Sequence, residues 1–123
     1  MEDKFVKVAD IIKSSEHTTV FTGAGISVES GIPPFRGKNG VWNKYDPSKF
    51  AIDYFHKNPE QSWKLIKEVF YQLYNNTEAN KAHKVLAEWE KNNLIDAVIT
   101  QNIDGLHQRA GSSEVYEFHG TTS

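Results

Sequence analysis

Residues 18–36 read TTVFTGAGISVESGIPPFR. Thr18 to Thr22 are β-branched or aromatic throughout and favour a short strand. Gly23, Ala24 and Gly25 turn the chain, and Ile26 to Ser30 can open a helix. Gly31 to Gly40 cannot continue it. Pro33 and Pro34 lack donors, and a residue before proline is pushed out of the α region, so an ordered but adaptable loop is expected. A strand, a glycine turn and a helix start in this order let backbone amides approach a pyrophosphate, with the partial positive charge of the helix end behind it. A bare glycine-x-glycine suits a tight turn without a ligand equally well, so the turn alone leaves both readings open.

Two familiar phosphate loops are excluded. The dehydrogenase fingerprint needs glycine or alanine where Val28 stands. A Walker A loop needs Gly-Lys-Ser/Thr, and Gly37-Lys38-Asn39 does not supply it.

Around this segment the pattern alternates strands and helices. Phe5, Val8, Ala9 and Ile12 recur at helical spacing over roughly Asp3 to Ser14. Asp46-Pro47 and Asn58-Pro59 each read as an N-cap followed by proline at the first helical position. The second of these helices carries Trp63, Ile66, Val69, Phe70 and Leu73 on one stripe. Beyond the polar break at Asn75 to Thr77, Ala82, Val85, Leu86 and Trp89 mark another helix. Leu94 to Thr100 (LIDAVIT) is a nearly continuous apolar strand of the kind buried in parallel sheets. Gln101 to Gly111 follows as a turn and short helix, and Glu114 to Phe118 as a third strand. Strands separated by helices imply right-handed crossovers and an α/β fold with a parallel, Rossmann-like sheet of about three strands. Residues 1–37 and 93–123 are expected to form the sheet portion, and residues 38–92 a mainly helical insertion between the first and second strands.

With 38% hydrophobic and 12% aromatic residues in 123, the chain can bury one ordinary core. The 14 Lys and Arg against 16 Asp and Glu leave a net charge of -2, and no basic block marks a nucleic-acid partner. No run reaches the roughly 18 apolar residues of a membrane span, and the charged N-terminus lacks the apolar core of a signal peptide. A cytoplasmic chain with neither membrane nor nucleic-acid partner is expected. The absence of cysteine removes disulfides, a thiol nucleophile and any thiolate zinc site within these residues. His17, His56 and His83 have no second ligand at metal spacing and read as solvent-facing or packed structural residues. Trp42, Trp63 and Trp89 read as packing residues.

Three segments carry a family resemblance: Gly23-Ala24-Gly25-Ile26-Ser27 through Ser30-Gly31-Ile32-Pro33-Pro34-Phe35-Arg36-Gly37, then Thr100-Gln101-Asn102-Ile103-Asp104 with His107, then His119-Gly120. In order, interval and content these resemble the sirtuin (Sir2) family of NAD-dependent protein deacylases, over essentially the whole chain. Pro34 stands where many members carry aspartate. The resemblance implies NAD as cofactor and an acetylated-lysine protein or peptide as partner, with lysine, nicotinamide and O-acyl-ADP-ribose as products. It implies His119 as general base, at the carboxyl end of a strand where ligands of parallel sheets bind.

By the same resemblance Gly23, Ala24, Gly25, Ile26, Ser27, Ile32, Phe35, Arg36, Gln101, Asn102, Ile103 and Asp104 form the cofactor site. Asn102 and Asp104 would shape the nicotinamide pocket, Phe35 would shield the sugar, and Arg36 would hold a phosphate or anchor the loop. Ser27 would sit near the ribose phosphates, and Gln101 would touch a ribose. Asp104 can also cap the short helix after it, and His107 is expected to make a structural hydrogen bond. Sirtuins preferring acidic acyl groups carry a tyrosine and an arginine where Ile66 and Val69 align, which favours acetyl or apolar acyl groups here. A complete family member is about twice this length and includes four zinc-binding cysteines and a second half of the sheet. The 123 residues hold no ligands for that zinc and are expected to be inactive alone and prone to associate with a complementary C-terminal half. A sirtuin-like NAD hydrolase and a non-catalytic fragment or binding module remain as alternatives.

Overall fold

The computed structural model describes residues 2–123. Helix α1 (Glu2–Ser14) leads into strand β1 (Thr19–Thr22), and a 3-10 helix over Ala24–Ser30 follows the glycine turn. Short 3-10 turns at Val41–Asn43 and Pro47–Phe50 precede α2 (Ile52–Lys57) and α3 (Pro59–Ile66). A π turn over Lys67–Tyr71 joins α3 to α4 (Gln72–Asn75), and α5 (Lys81–Lys91) follows. Strand β2 (Ala97–Thr100), α6 (Leu106–Ala110) and strand β3 (Val115–Glu117) complete the order.

The fold is α/β, with a three-stranded parallel sheet in the order β1-β2-β3. The pairing aligns Val20, Val98 and Val115 on one face and Phe21, Ile99 and Tyr116 on the other. Val98 is fully buried, whereas Phe21 and Tyr116 are more than half exposed. One face of the sheet is therefore packed and the other open.

The strands are shorter than the sequence suggests. The Asp96 carboxylate accepts the N–H of Thr18 while the Asp96 N–H donates to the Thr18 carbonyl, both at 2.8 Å. This crossed pair closes the sheet entrance and leaves Leu94 and Ile95 in the approach to β2. Ile95 is nevertheless buried. The helix expected after the glycine turn is a tight 3-10 helix that already begins at Ala24. Gly31, in the left-handed region at φ 92°, ends it and returns its N–H to the Ser27 and Val28 carbonyls.

Both predicted proline starts occur, but only Asp46 caps with its side chain, accepting the Ser48 N–H at 3.0 Å. Along the next helices, Val69, Phe70 and Leu73 turn inward with Tyr74, and Trp63 does not; it is 61% exposed and packs edge-on against Phe55. The buried stripe of α5 runs through His83 and Ala87 rather than through Ala82, which is exposed. Helix α1 forms as expected, yet Phe5, Val8 and Ile11 remain more than half exposed. Beneath the glycine turn, Ile32, Tyr74 and Leu106 form the core with Phe70, Leu73 and Ile103 against them.

Candidate active site

Parallel pairing brings the carboxyl ends of β1, β2 and β3 to one edge, and with them Gly23, Gln101 and His119. Two adjoining cavities of about 220 and 490 Å³ open there. They share Ala24, Phe35, Gln101, Asn102 and His119. The smaller adds Ser27, Ile32, Ile103 and Asp104; the larger adds Gly23 and Arg36. Of the expected cofactor-site residues and His119, only Gly25 and Ile26 line neither. A separate hollow of about 580 Å³ between α5 and Gly111 is lined by Lys84, Glu88 and Lys91, and no motif residue reaches it.

The floor of the cleft is a closed hydrogen-bond network. Ser27, 1% exposed, donates to Asp104 Oδ2 at 2.7 Å and receives the Asn102 amide at 3.3 Å. The same Asn102 Nδ2 donates to the Gly23 carbonyl at 2.9 Å, which ties the glycine turn to the loop after β2. Asp104 Oδ1 accepts the N–H of Leu106 at 3.0 Å, so the carboxylate also holds the start of α6. Arg109 fastens this loop from below, donating to the carbonyls of Asp104, Tyr74 and Thr77.

His83 was not singled out as a site residue, and it lies behind Ser27 with no solvent exposure. The Asn80 N–H donates to its Nδ1 at 3.1 Å, completing a capping box with the Asn80 side chain at the start of α5. Its Nε2 therefore carries the proton in the neutral ring and points at Ser27 Oγ, 3.4 Å away. Burial first, and Arg109 after it, lowers the His83 pKa against the opposing pull of Asp104. The one available signal was the Asn80-x-x-His83 spacing, which reads as a helix start.

Tyr74 is the other residue the sequence left unmarked. It is buried, lines the smaller cavity, and its phenol is pushed up to about 12 by burial and by the Asp104 charge. Phe35 lines the cleft and also belongs to an aromatic cluster, with its ring 5.3 Å from Trp42 and 6.1 Å from Phe70. Packing and site-lining are thus one placement. Arg36 and His119 are exposed. His119 Nδ1 lies 3.1 Å from the Gln101 carbonyl. A carbonyl only accepts, so Nδ1 holds the proton and Nε2 keeps its lone pair available for a proton from the cleft.

The glycine turn can be tested for what it reserves. Gly23 has extended φ -133°, and a Cβ there would meet nothing nearer than Gln101 Nε2 at 3.7 Å. A Cβ at Gly25 would meet nothing within 4 Å, and its φ is not positive. Neither backbone strain nor internal packing calls for glycine at these positions, and of the two only Gly23 lines the larger cavity. No three His, Cys, Asp or Glu side chains gather as metal ligands among the described residues.

A sequence model of the Sir2 family matches residues 23–123. The NAD-dependent protein deacylase 2 of Archaeoglobus fulgidus is 52% identical over 122 residues, covering 98% of this chain and 47% of the relative. The NAD-dependent protein deacetylase of Caldivirga maquilingensis is 54% identical over 114 residues, 93% of this chain and 44% of its own length. A solved Sir2 structure with a deacetylated p53 peptide and 3'-O-acetyl-ADP-ribose superposes at a TM-score of 0.88 with 47% identity, covering 94% of this chain and 46% of the other. The chain spans about half the length of the curated relatives it matches. Motifs, parallel sheet and comparisons agree, and the chain belongs to the Sir2 family.

Proposed function

We propose that this chain carries the nicotinamide and ribose side of the site of an NAD-dependent protein lysine deacetylase. The observation that carries the reading is the convergence on one cleft of a bare glycine backbone, the tied Asn102 and Asp104, and His119 with an open Nε2. NAD, when bound, supplies a ribose carbon made electrophilic by departure of nicotinamide. Gly23 and Ala24 present main chain to the phosphates and ribose. Asn102 and Asp104 wall the nicotinamide end, where their remaining lone pairs can meet a carboxamide. Phe35, anchored by its aromatic neighbours, excludes water that would otherwise capture the ribose carbon. Arg36 is a cation for phosphate or for loop closure. His119 Nε2 takes a proton from a ribose hydroxyl.

The acyl group is acetyl or apolar. Ile66 is half-buried and Val69 is buried, so neither presents a cation or phenol to an acidic acyl chain. Residues 1–37 and 93–123 act as the Rossmann-like portion and residues 38–92 as the insertion that closes the cleft. The open Phe21 and Tyr116 face and the exposed stripe of α1 are the surfaces on which a complementary C-terminal half would pack. Alone, these 123 residues are expected to be inactive.

The test joins this chain to the remaining half of the Archaeoglobus relative and follows nicotinamide release. Release that requires an acetyl-lysine peptide and disappears in His119→Ala supports the reading. Release without peptide favours an NAD hydrolase, and absence of both release and ADP-ribose binding favours a non-catalytic binding module.

A further inference from the structure

We propose that His107 is a positioning residue for this cleft: a neutral imidazole whose Nε2 proton orients the Thr22 and Thr100 hydroxyls and, through them, the loop that carries Asn102. His107 does not line either cavity. It sits on α6, 1% exposed, with Nε2 2.8 Å from Thr22 Oγ1. Thr22 Oγ1 is 2.8 Å from Thr100 Oγ1, and Thr100 Oγ1 accepts the main-chain N–H of Asn102 at 3.0 Å. All of these groups are buried. The relay thus crosses from α6 through β1 and β2 to the residue that ties the glycine turn.

The direction of the relay follows from counting protons. If Thr22 donates to Thr100, Thr22 Oγ1 must accept from His107, and the ring carries its proton on Nε2. The reverse direction would place the proton on Nδ1. That atom is buried and has no hydrogen-bond partner. A buried N–H without an acceptor costs more than a buried lone pair without a donor, so the Nε2–H tautomer is selected. A second proton on the ring would leave the same orphan N–H and add a charge.

The groups around the ring act in opposite directions. His83 of α5 stacks edge-to-face with ring centroids 5.0 Å apart, Arg109 lies with His107 on α6, and Asp104 opposes the shift. Burial and the His83 neighbour depress His107 to about 4 despite Asp104.

The inference rests on the functional reading only in that Asn102 belongs to the ligand cleft. The experiment uses the 123-residue chain with 15N-labelled histidine, together with His107→Gln, whose amide can reach the Nε2 position, and His107→Leu, which has no donor. Expected are an Nε2–H, uncharged His107 from pH 7.5 to 5.5, and Asn102 amide exchange about tenfold faster in the leucine variant but not in the glutamine variant. ADP-ribose affinity should follow the same order, falling about tenfold in His107→Leu alone.

An Nδ1–H or charged ring at pH 6 overturns the proposal. So does Asn102 exchange that is unchanged by leucine, or that rises equally at every amide in both variants. Should the wild-type chain bind no ADP-ribose while tautomer and exchange behave as stated, the cleft assignment fails and the positioning role stands.

Discussion

Gly40→Ala should separate the geometry of the proline loop from the stability of the chain. Gly40 has φ -71°, which any residue adopts, so the substitution brings no backbone strain of its own. A Cβ at this position would stand 2.6 Å from the Phe35 carbonyl oxygen, 2.7 Å from the Arg36 carbonyl carbon and 2.9 Å from the Arg36 Cα. All three are main-chain atoms, which cannot rotate away. Regaining ordinary contact at 3.4 Å requires the Phe35–Arg36 main chain to retreat by about 0.8 Å. The retreat works against Val41 N–H to Pro34 O at 2.8 Å and Trp42 N–H to Phe35 O at 3.0 Å.

Overpacking of this kind costs about 1–3 kcal/mol. The displaced residues are those lining the larger cavity, where a misplacement of about 1 Å can cost on the order of a hundredfold in rate. Calorimetric unfolding and ADP-ribose titration of the same variant are the assays. A fall in affinity of at least tenfold with a modest loss of stability is expected; affinity unchanged within twofold would refute the argument that Gly40 seats Phe35 and Arg36 against the ligand.

Two further outcomes follow from the buried polar groups. His107 titrates near 6.5 when unfolded and at about 4 when folded, so its contribution is present above the unfolded value and is lost as pH falls from 6.5 towards 4. From pH 7 to 5 this ring alone should remove about 2 kcal/mol of stability. Urea unfolding at the two pH values measures it, and the His107→Gln variant should lose that part of the dependence. Glu90 accepts the N–H groups of Ser113 and Glu114 and the Ser113 hydroxyl, clamping the approach to β3. Replacing it by alanine should destabilise by about 1–2 kcal/mol, read as a lower Tm; a Tm shift below 1 °C would remove the clamp from the account.

What was legible in the sequence was local and periodic. The TTVFT and AVIT runs, the glycine turn and the proline break point to their elements with no tertiary knowledge, and the parallel order follows from the helices between them. The His83 side of the site was not legible, because His83 reads as one polar residue at a helix start. Its role arises only when α5 packs its His83–Ala87 stripe under Ser27, a contact between residues 56 positions apart. Tyr74 is hidden for a related reason: beside Leu73 at the end of the stripe it reads as one more packing residue, and its place in the cavity arises only when its helix packs against Ile32 and Leu106. Trp63 stands on the expected stripe yet packs only at its edge against Phe55, because hydrophobicity alone does not reveal which residues of a stripe find a buried neighbour. Asp104 was read both as a cap and as a pocket residue; its two oxygens are bonded to Leu106 and Ser27, with the residue still facing the cavity.

Amide shifts of the backbone report whether the cleft at the carboxyl edge of the sheet receives the ribose and nicotinamide end of NAD. Titration of the 15N-labelled chain with ADP-ribose, and then with nicotinamide, tests it most directly. Shifts are expected at Gly23 to Ser27, Phe35, Arg36, Gln101 to Asp104 and His119, with nicotinamide moving the Asn102–Asp104 subset. Shifts centred instead on the hollow beside Lys84 and Lys91, or none at millimolar ligand, would contradict it.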